Sequence, residues 1–175
     1  MAQIDALVAS TEISSSTDKF YGFFRNDMSE LVNVFPDSYK SVELIHGEEG
    51  SVGSVKLWTY VLGKTVQINS SIVAMLESFE SLYLIQRVSI ECEVGERVKL
   101  EIDANEGERS ITFKAIEGDV LLLYKNYKFT IDVSDGSVQW TIEYEKAFAT
   151  SPPPDAYAGF AIMTFKLLDL YLLSH

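Results

Sequence analysis

A chain of 175 residues with a formal net charge of -12 and no basic stretch is repelled by phosphate backbones and anionic membrane surfaces, so nucleic acid is not expected as a partner. The length suits one domain spanning residues 1–175, and a hydrophobic content of 47% excludes a disordered chain. One cysteine, Cys92, excludes an intrachain disulfide and a multi-cysteine zinc site, and fits a reducing, cytoplasmic setting.

Met1 to Asp5 lacks the basic start and apolar core of a secretory leader. Ile4 to Ile13 reads as a strand. Ser14 to Asp18 is a capping cluster for a short helix to Arg25, and Asn26-Asp27 restarts a second that Pro36 stops. Ser41–His46 and Ser54–Leu62 form a hairpin around the glycine-rich turn Gly47–Gly53. That turn superficially resembles a phosphate loop. Glu48 and Glu49 within it, and a strand after it, argue against nucleotide binding.

From Ile68 to Glu96 the pattern changes. Ile72, Met75, Leu76, Phe79, Leu82 and Tyr83 recur at helical spacing, then Val88, Ile90, Cys92 and Val94 alternate like a strand. Val98–Ile102 and Ser110–Ala115 alternate again, turned by Asn105-Glu106-Gly107 and then by Glu117-Gly118-Asp119. Tyr127, Phe129, Ile131 and Val133 share one strand face. After the Asp135-Gly136 turn, Val138, Trp140, Ile142 and Tyr144 share another. An antiparallel meander with one wet and one apolar face follows from this alternation.

Ser151-Pro152-Pro153-Pro154-Asp155 then breaks the chain before an apolar run, Tyr157 to Leu173. The run is short for a bilayer span of roughly 20 residues and carries Lys166 and Asp169. A core helix gripped by the sheet is expected, with no stable membrane insertion. A curved sheet around one long helix leaves room for a cavity between them.

The residues resemble the plant major latex proteins, in the birch-pollen-allergen (Bet v I) and pathogenesis-related class ten superfamily. The resemblance is carried by Gly50-Ser51-Val52-Gly53-Ser54-Val55-Lys56-Leu57-Trp58, by Ile111 to Asp119, by Tyr124 to Lys128, by Trp140 to Lys146, and by Ser151 to Asp155 with Lys166-Leu167-Leu168-Asp169. It implies an α+β helix-grip (START-like) fold: a curved seven-stranded antiparallel sheet around a long C-terminal helix, two short helices after the first strand, and a hydrophobic cavity. It implies a carrier of a sterol, fatty acid, flavonoid or similar molecule, with a role in plant defence or stress response, and no cofactor. The departure is an insertion at about residues 68–96. It reads either as a cover for the cavity mouth or as translated intron sequence, which would make the chain an inactive, sticky variant.

The expected cavity lining is Lys56, Trp58, Tyr60, Phe113, Tyr127, Phe129, Trp140, Tyr144, Phe160 and Leu168. Tyrosine and tryptophan bring polar tips to an apolar wall. Lys56 shares strand parity with Trp58 and Tyr60 and is expected to point inward, whereas Lys128 is expected to point out. No catalytic set is legible. The histidines are His46 and His175, and Glu143 with Glu145 read as a wet strand face. Some members of the superfamily are alkaloid-forming enzymes with a cavity lysine, and Lys56, Tyr60 and Tyr144 are the residues for that alternative. Others are hormone receptors with a gate and latch, neither of which is present here. No metal site is expected, and the oligomeric state is open.

Overall fold

The computed structural model describes residues 3–62, 95–105 and 109–175. Seven antiparallel strands form one sheet in the order β1-β7-β6-β5-β4-β3-β2. They are β1 (Asp5–Glu12), β2 (Tyr39–His46), β3 (Val55–Tyr60), β4 (Glu96–Asn105), β5 (Ser110–Gly118), β6 (Tyr124–Ser134) and β7 (Ser137–Lys146). The helices are α1 (Thr17–Asn26), α2 (Leu31–Val34) and the C-terminal α3 (Asp155–Ser174). This is the helix-grip architecture expected from the sequence. The helical and strand patterns read between Ile72 and Val94 lie outside the described residues.

Local chemistry sets the element ends. The Ser16 hydroxyl accepts from Lys19 N at 3.2 Å and opens α1, with Asp18 in its first turn and Arg25 in its last. The second short helix is less regular than expected: a 3₁₀ turn, Met28–Glu30, runs into the single turn of α2. The turn expected at Glu117-Gly118-Asp119 also comes later, because β5 runs through Gly118 and a 3₁₀ turn occupies Asp119–Leu122. Gly118 has φ +136, and a Cβ there would lie 2.3 Å from the Arg97 carbonyl oxygen, so the close approach of β4 to β5 requires glycine.

Strand alternation builds the core. Tyr127, Phe129, Ile131 and Val133 of β6 are buried, as are Val138, Ile142 and Tyr144 of β7. Each fully buried side chain of this size contributes roughly 1.5–3 kcal/mol. Phe20, Phe23 and Phe24 of α1 close one end of the sheet, and Phe20 and Phe24 meet Phe165 of α3 edge-on at 5.9 and 5.6 Å. The ladder between β2 and β3 carries two register shifts, at Tyr39/Ser41 and Leu44/His46.

By length and composition α3 is apolar enough to cross a bilayer. It nonetheless buries Ala158, Ala161, Phe165, Leu168 and Leu172 within the fold. Asp169 on the same helix is buried and accepts from the Ser14 and Ser15 backbone N–H groups at 2.9 and 2.8 Å. Lys19 Nζ donates to the Leu172 carbonyl at 2.7 Å, which satisfies an acceptor of the last turn.

Candidate ligand cavity

A cavity of about 80 Å³ lies between the concave face of the sheet and the first half of α3. β3 supplies Trp58 and Tyr60, β6 supplies Tyr127 and Phe129, β7 supplies Trp140, and α3 supplies Tyr157, Phe160, Ala161, Thr164 and Phe165. Aromatic rings set its size. Phe160 reaches from α3 to Tyr39 and Tyr60, with ring centroids 5.2 and 5.9 Å apart. Trp140 stacks on Phe129 at 4.1 Å. The volume is well below the roughly 300–1,000 Å³ of sites that enclose drug-sized ligands. Phe160 is half-buried and limits the space. Phe160→Ala is expected to widen the cavity and lower stability by about 2 kcal/mol in urea unfolding, less than the roughly 3–5 of a fully buried phenylalanine.

The polar side chains on this wall are the phenols of Tyr39, Tyr60, Tyr127 and Tyr157, the indoles of Trp58 and Trp140 and the Thr164 hydroxyl. The Tyr39 hydroxyl bonds Thr164 Oγ1 at 2.9 Å, and Thr164 Oγ1 donates to the Phe160 carbonyl at 3.0 Å, so Tyr39 is the donor of the pair. Tyr60 and Tyr157 both donate to Glu96 Oε2, at 3.2 and 2.8 Å. Burial and then the neighbouring Tyr157 and Glu96 push the Tyr60 phenol far above its ordinary range. Burial and Glu96 do the same to Tyr157. Tyr124, which donates to the Pro152 carbonyl at 3.0 Å, is pushed up to about 12, chiefly by burial. Burial also pushes the Tyr39 phenol up, so Tyr39, Tyr60, Tyr124 and Tyr157 are protonated donors at neutral pH. Trp140 Nε1 is buried and has no hydrogen-bond partner among the described residues.

Of the ten expected lining residues, Trp58, Tyr60, Tyr127, Phe129, Trp140 and Phe160 line the cavity. The other four do not. Phe113 is covered by Phe129, which stacks on it at 5.0 Å. Tyr144 packs edge-on against Tyr124 at 5.4 Å. Leu168 is fully buried in the second half of α3, beyond the cavity.

Lys56 points inward and is only 2% exposed, as strand parity predicts. Its ammonium, however, is committed to Glu49 of the glycine-rich turn and to Ser29 Oγ at 2.9 Å. Ser29 in turn donates to Glu49 at 2.7 Å. The turn is held close enough to α1 that a Cβ on Gly50 would lie 2.5 Å from the Arg25 carbonyl oxygen. This lysine fastens the turn to the helical corner instead of facing the cavity. Lys56, Tyr60 and Tyr144 thus serve three separate sets of partners. Lys128 points out and pairs with Glu143 at 2.8 Å, while Glu145 accepts from Asn126 at 2.9 Å. No group of three His, Cys, Asp or Glu side chains that could hold a metal occurs among the described residues.

Sequence reasoning missed Tyr39, Tyr157 and Glu96. Tyr39 lay two residues outside the strand as read, and Glu96 at the margin of the atypical segment. Tyr157 opened the apolar run and was legible only as part of it.

A curved sheet gripping one helix over an aromatic cavity defines the helix-grip class of folds. The model of the pathogenesis-related protein Bet v 1 family matches residues 2–78 and 92–175, so its break falls inside the atypical segment. The chain belongs to that family. It is 28% identical to MLP-like protein 43 of Arabidopsis thaliana, over 99% of each chain. A crystal structure of ginseng major latex-like protein 151 from Panax ginseng matches with a TM-score of 0.77 at 25% identity, covering 96% of this chain and 97% of the other. Norcoclaurine synthase from Thalictrum flavum shares the fold, with a TM-score of 0.60 at 17% identity over 99% of this chain and 89% of the other.

Proposed function

We propose that this protein binds a hydrophobic small molecule in the cavity between the sheet and α3, as a single-domain cytoplasmic carrier with a role in plant defence or stress response. The observation that carries the reading is the wall itself: apolar and aromatic on every side, with phenol and indole donors as the polar tips. Such a wall gains about 25 cal/mol per Å² of apolar ligand surface removed from water. The hydroxyls of Tyr39, Tyr60 and Tyr157 already donate to Thr164 and Glu96, which leaves their oxygens to accept from a guest. A drug-sized guest requires Phe160 and the first half of α3 to give way.

Both tryptophans of the chain, Trp58 and Trp140, line the cavity, so native emission reports on its occupancy. Titration with a sterol and with a flavonoid is expected to change that emission saturably, at one ligand per chain. The ligand should be recovered unchanged by mass spectrometry. Unchanged emission with no retained ligand would sink the carrier reading. Recovery of a converted product would replace it with an enzyme.

A further inference from the structure

The two halves of α3 are fastened by different chemistry. The second half is held through charges: Asp169 accepts from the Ser14 and Ser15 N–H groups, and Lys19 Nζ donates to the Leu172 carbonyl. The first half, which walls the cavity, starts after Pro154 with no side-chain cap. Among the described residues, two side-chain hydrogen bonds join it to the sheet: Thr164 to Tyr39 of β2, and Tyr157 to Glu96 of β4. Of the two, the Tyr157 bond is the one in the first turn of α3. Glu96 is already positioned to receive it. It is the register partner of Tyr60 on β3, and the Tyr60 hydroxyl donates to the same oxygen, Oε2, at 3.2 Å. That arm lies within the sheet, whereas the 2.8 Å arm to Tyr157 crosses from sheet to helix. Glu96 itself stands outside the cavity wall.

Displacing the first half of α3 breaks the bond between Tyr157 and Glu96. The Tyr60 arm and the Asp169 anchor stay made, because neither spans the part that moves. We propose that Glu96 is the size filter of the cavity: held in place by Tyr60, it fastens the first turn of α3 through Tyr157, and a guest too large for the closed cavity forfeits that bond on entry. A guest small enough for the closed cavity leaves the bond intact. The large guest therefore binds only the displaced form, and its apparent affinity falls by the fraction of chains in that form. For one hydrogen bond to a carboxylate the reduction is about tenfold. Glu96 is thus a positioning residue that acts through Tyr157 and touches no guest. This rests on the carrier reading above and adds what limits the size of its ligand.

The test uses the full chain and has two readouts. Amide hydrogen exchange needs no guest. Tyr157→Phe keeps the ring, and is expected to speed exchange about tenfold at residues 158–164 while leaving residues 168–172 unchanged. Equal acceleration in both halves, or none in either, overturns the fastening role. The second readout is titration with a small guest, toluene, and a large one, anilinonaphthalene sulfonate. Tyr157→Phe is expected to bind the large guest about tenfold tighter and toluene within about twofold of the parent. Glu96→Gln keeps an acceptor for the phenols, so its gain for the large guest is expected to be smaller, about threefold. The same gain for both guests means that residue 157 acts by touching them, and no gain means that the bond survives entry. Either result overturns the filter and leaves the carrier standing. Failure of parent and variants to bind either guest sinks the carrier reading and the filter together, and the exchange contrast then reports separately whether Glu96 holds the helix.

Discussion

Glu49→Ala is expected to destabilise the protein by about 3 kcal/mol, although Glu49 itself is 44% exposed. The reason lies with its partner. The Lys56 ammonium is buried, and without Glu49 it keeps only the Ser29 hydroxyl. Leaving one charge of a buried pair uncompensated costs roughly 3–5 kcal/mol, and the exposed side of Glu49 admits water that brings the loss to the low end. Lys56→Met is expected to cost less than about 1 kcal/mol, since it removes the buried charge and leaves Glu49 able to face solvent. Urea unfolding of the two variants checks the asymmetry, and a thermal scan should show Glu49→Ala melting roughly 6–12 °C lower. Equal losses would mean that packing of the lysine stem, not the charge pair, fastens the glycine-rich turn.

Asp169→Ala is the second large effect, again about 3 kcal/mol. It strands the Ser14 and Ser15 N–H groups in a part-buried place, at about 1–3 kcal/mol each. Asp169→Asn is expected to cost about 1 kcal/mol, because its amide oxygen still accepts one of the two. The carboxyl also makes stability pH-dependent. Burial works to raise its pKa, but the hydrogen bonds from Ser15 and Ser14 outweigh it and hold the group below the ordinary 3.8. A lowered folded-state pKa contributes stability that is fully present above 3.8 and is lost as the pH falls through the lower, folded-state value. Acid titration of the unfolding free energy should therefore be shallower below pH 3.8 in Asp169→Asn than in the parent chain.

The sheet was legible because its signals are local. Period-two alternation placed Tyr127, Phe129, Ile131 and Val133 inside, and the proline stop before Asp155 marked the start of α3. The cavity was only half legible, for a reason of geometry. Parity tells which face a side chain takes but not how far along the strand the cavity extends. Phe113 and Tyr144 are on the correct face and are covered by neighbouring rings. Lys56 shows a second limit. Its direction follows from the strand, but its role depends on Glu49 and Ser29, which only a folded turn and a folded corner bring to it. Glu96 was hidden by its setting, since a charged residue beside Gly95 reads as part of a turn until β4 is seen to begin with it.

β2 has one hydrogen-bonded neighbour, β3, and ends the described sheet on its other side. It exposes nearly half of Leu44 and Ile45 along that rim. An apolar open edge is a template on which a second molecule can add a strand. The register shifts at Tyr39/Ser41 and Leu44/His46 bend the rim out of the regular geometry such an addition needs. The net charge of -12 holds copies apart before they touch. One of these guards is geometric and indifferent to ionic strength; the other is screened within about 10 Å at 0.1 M salt and within about 3 Å at 1 M. At this edge, resistance to strand addition in concentrated salt therefore rests on two kinks in a single strand.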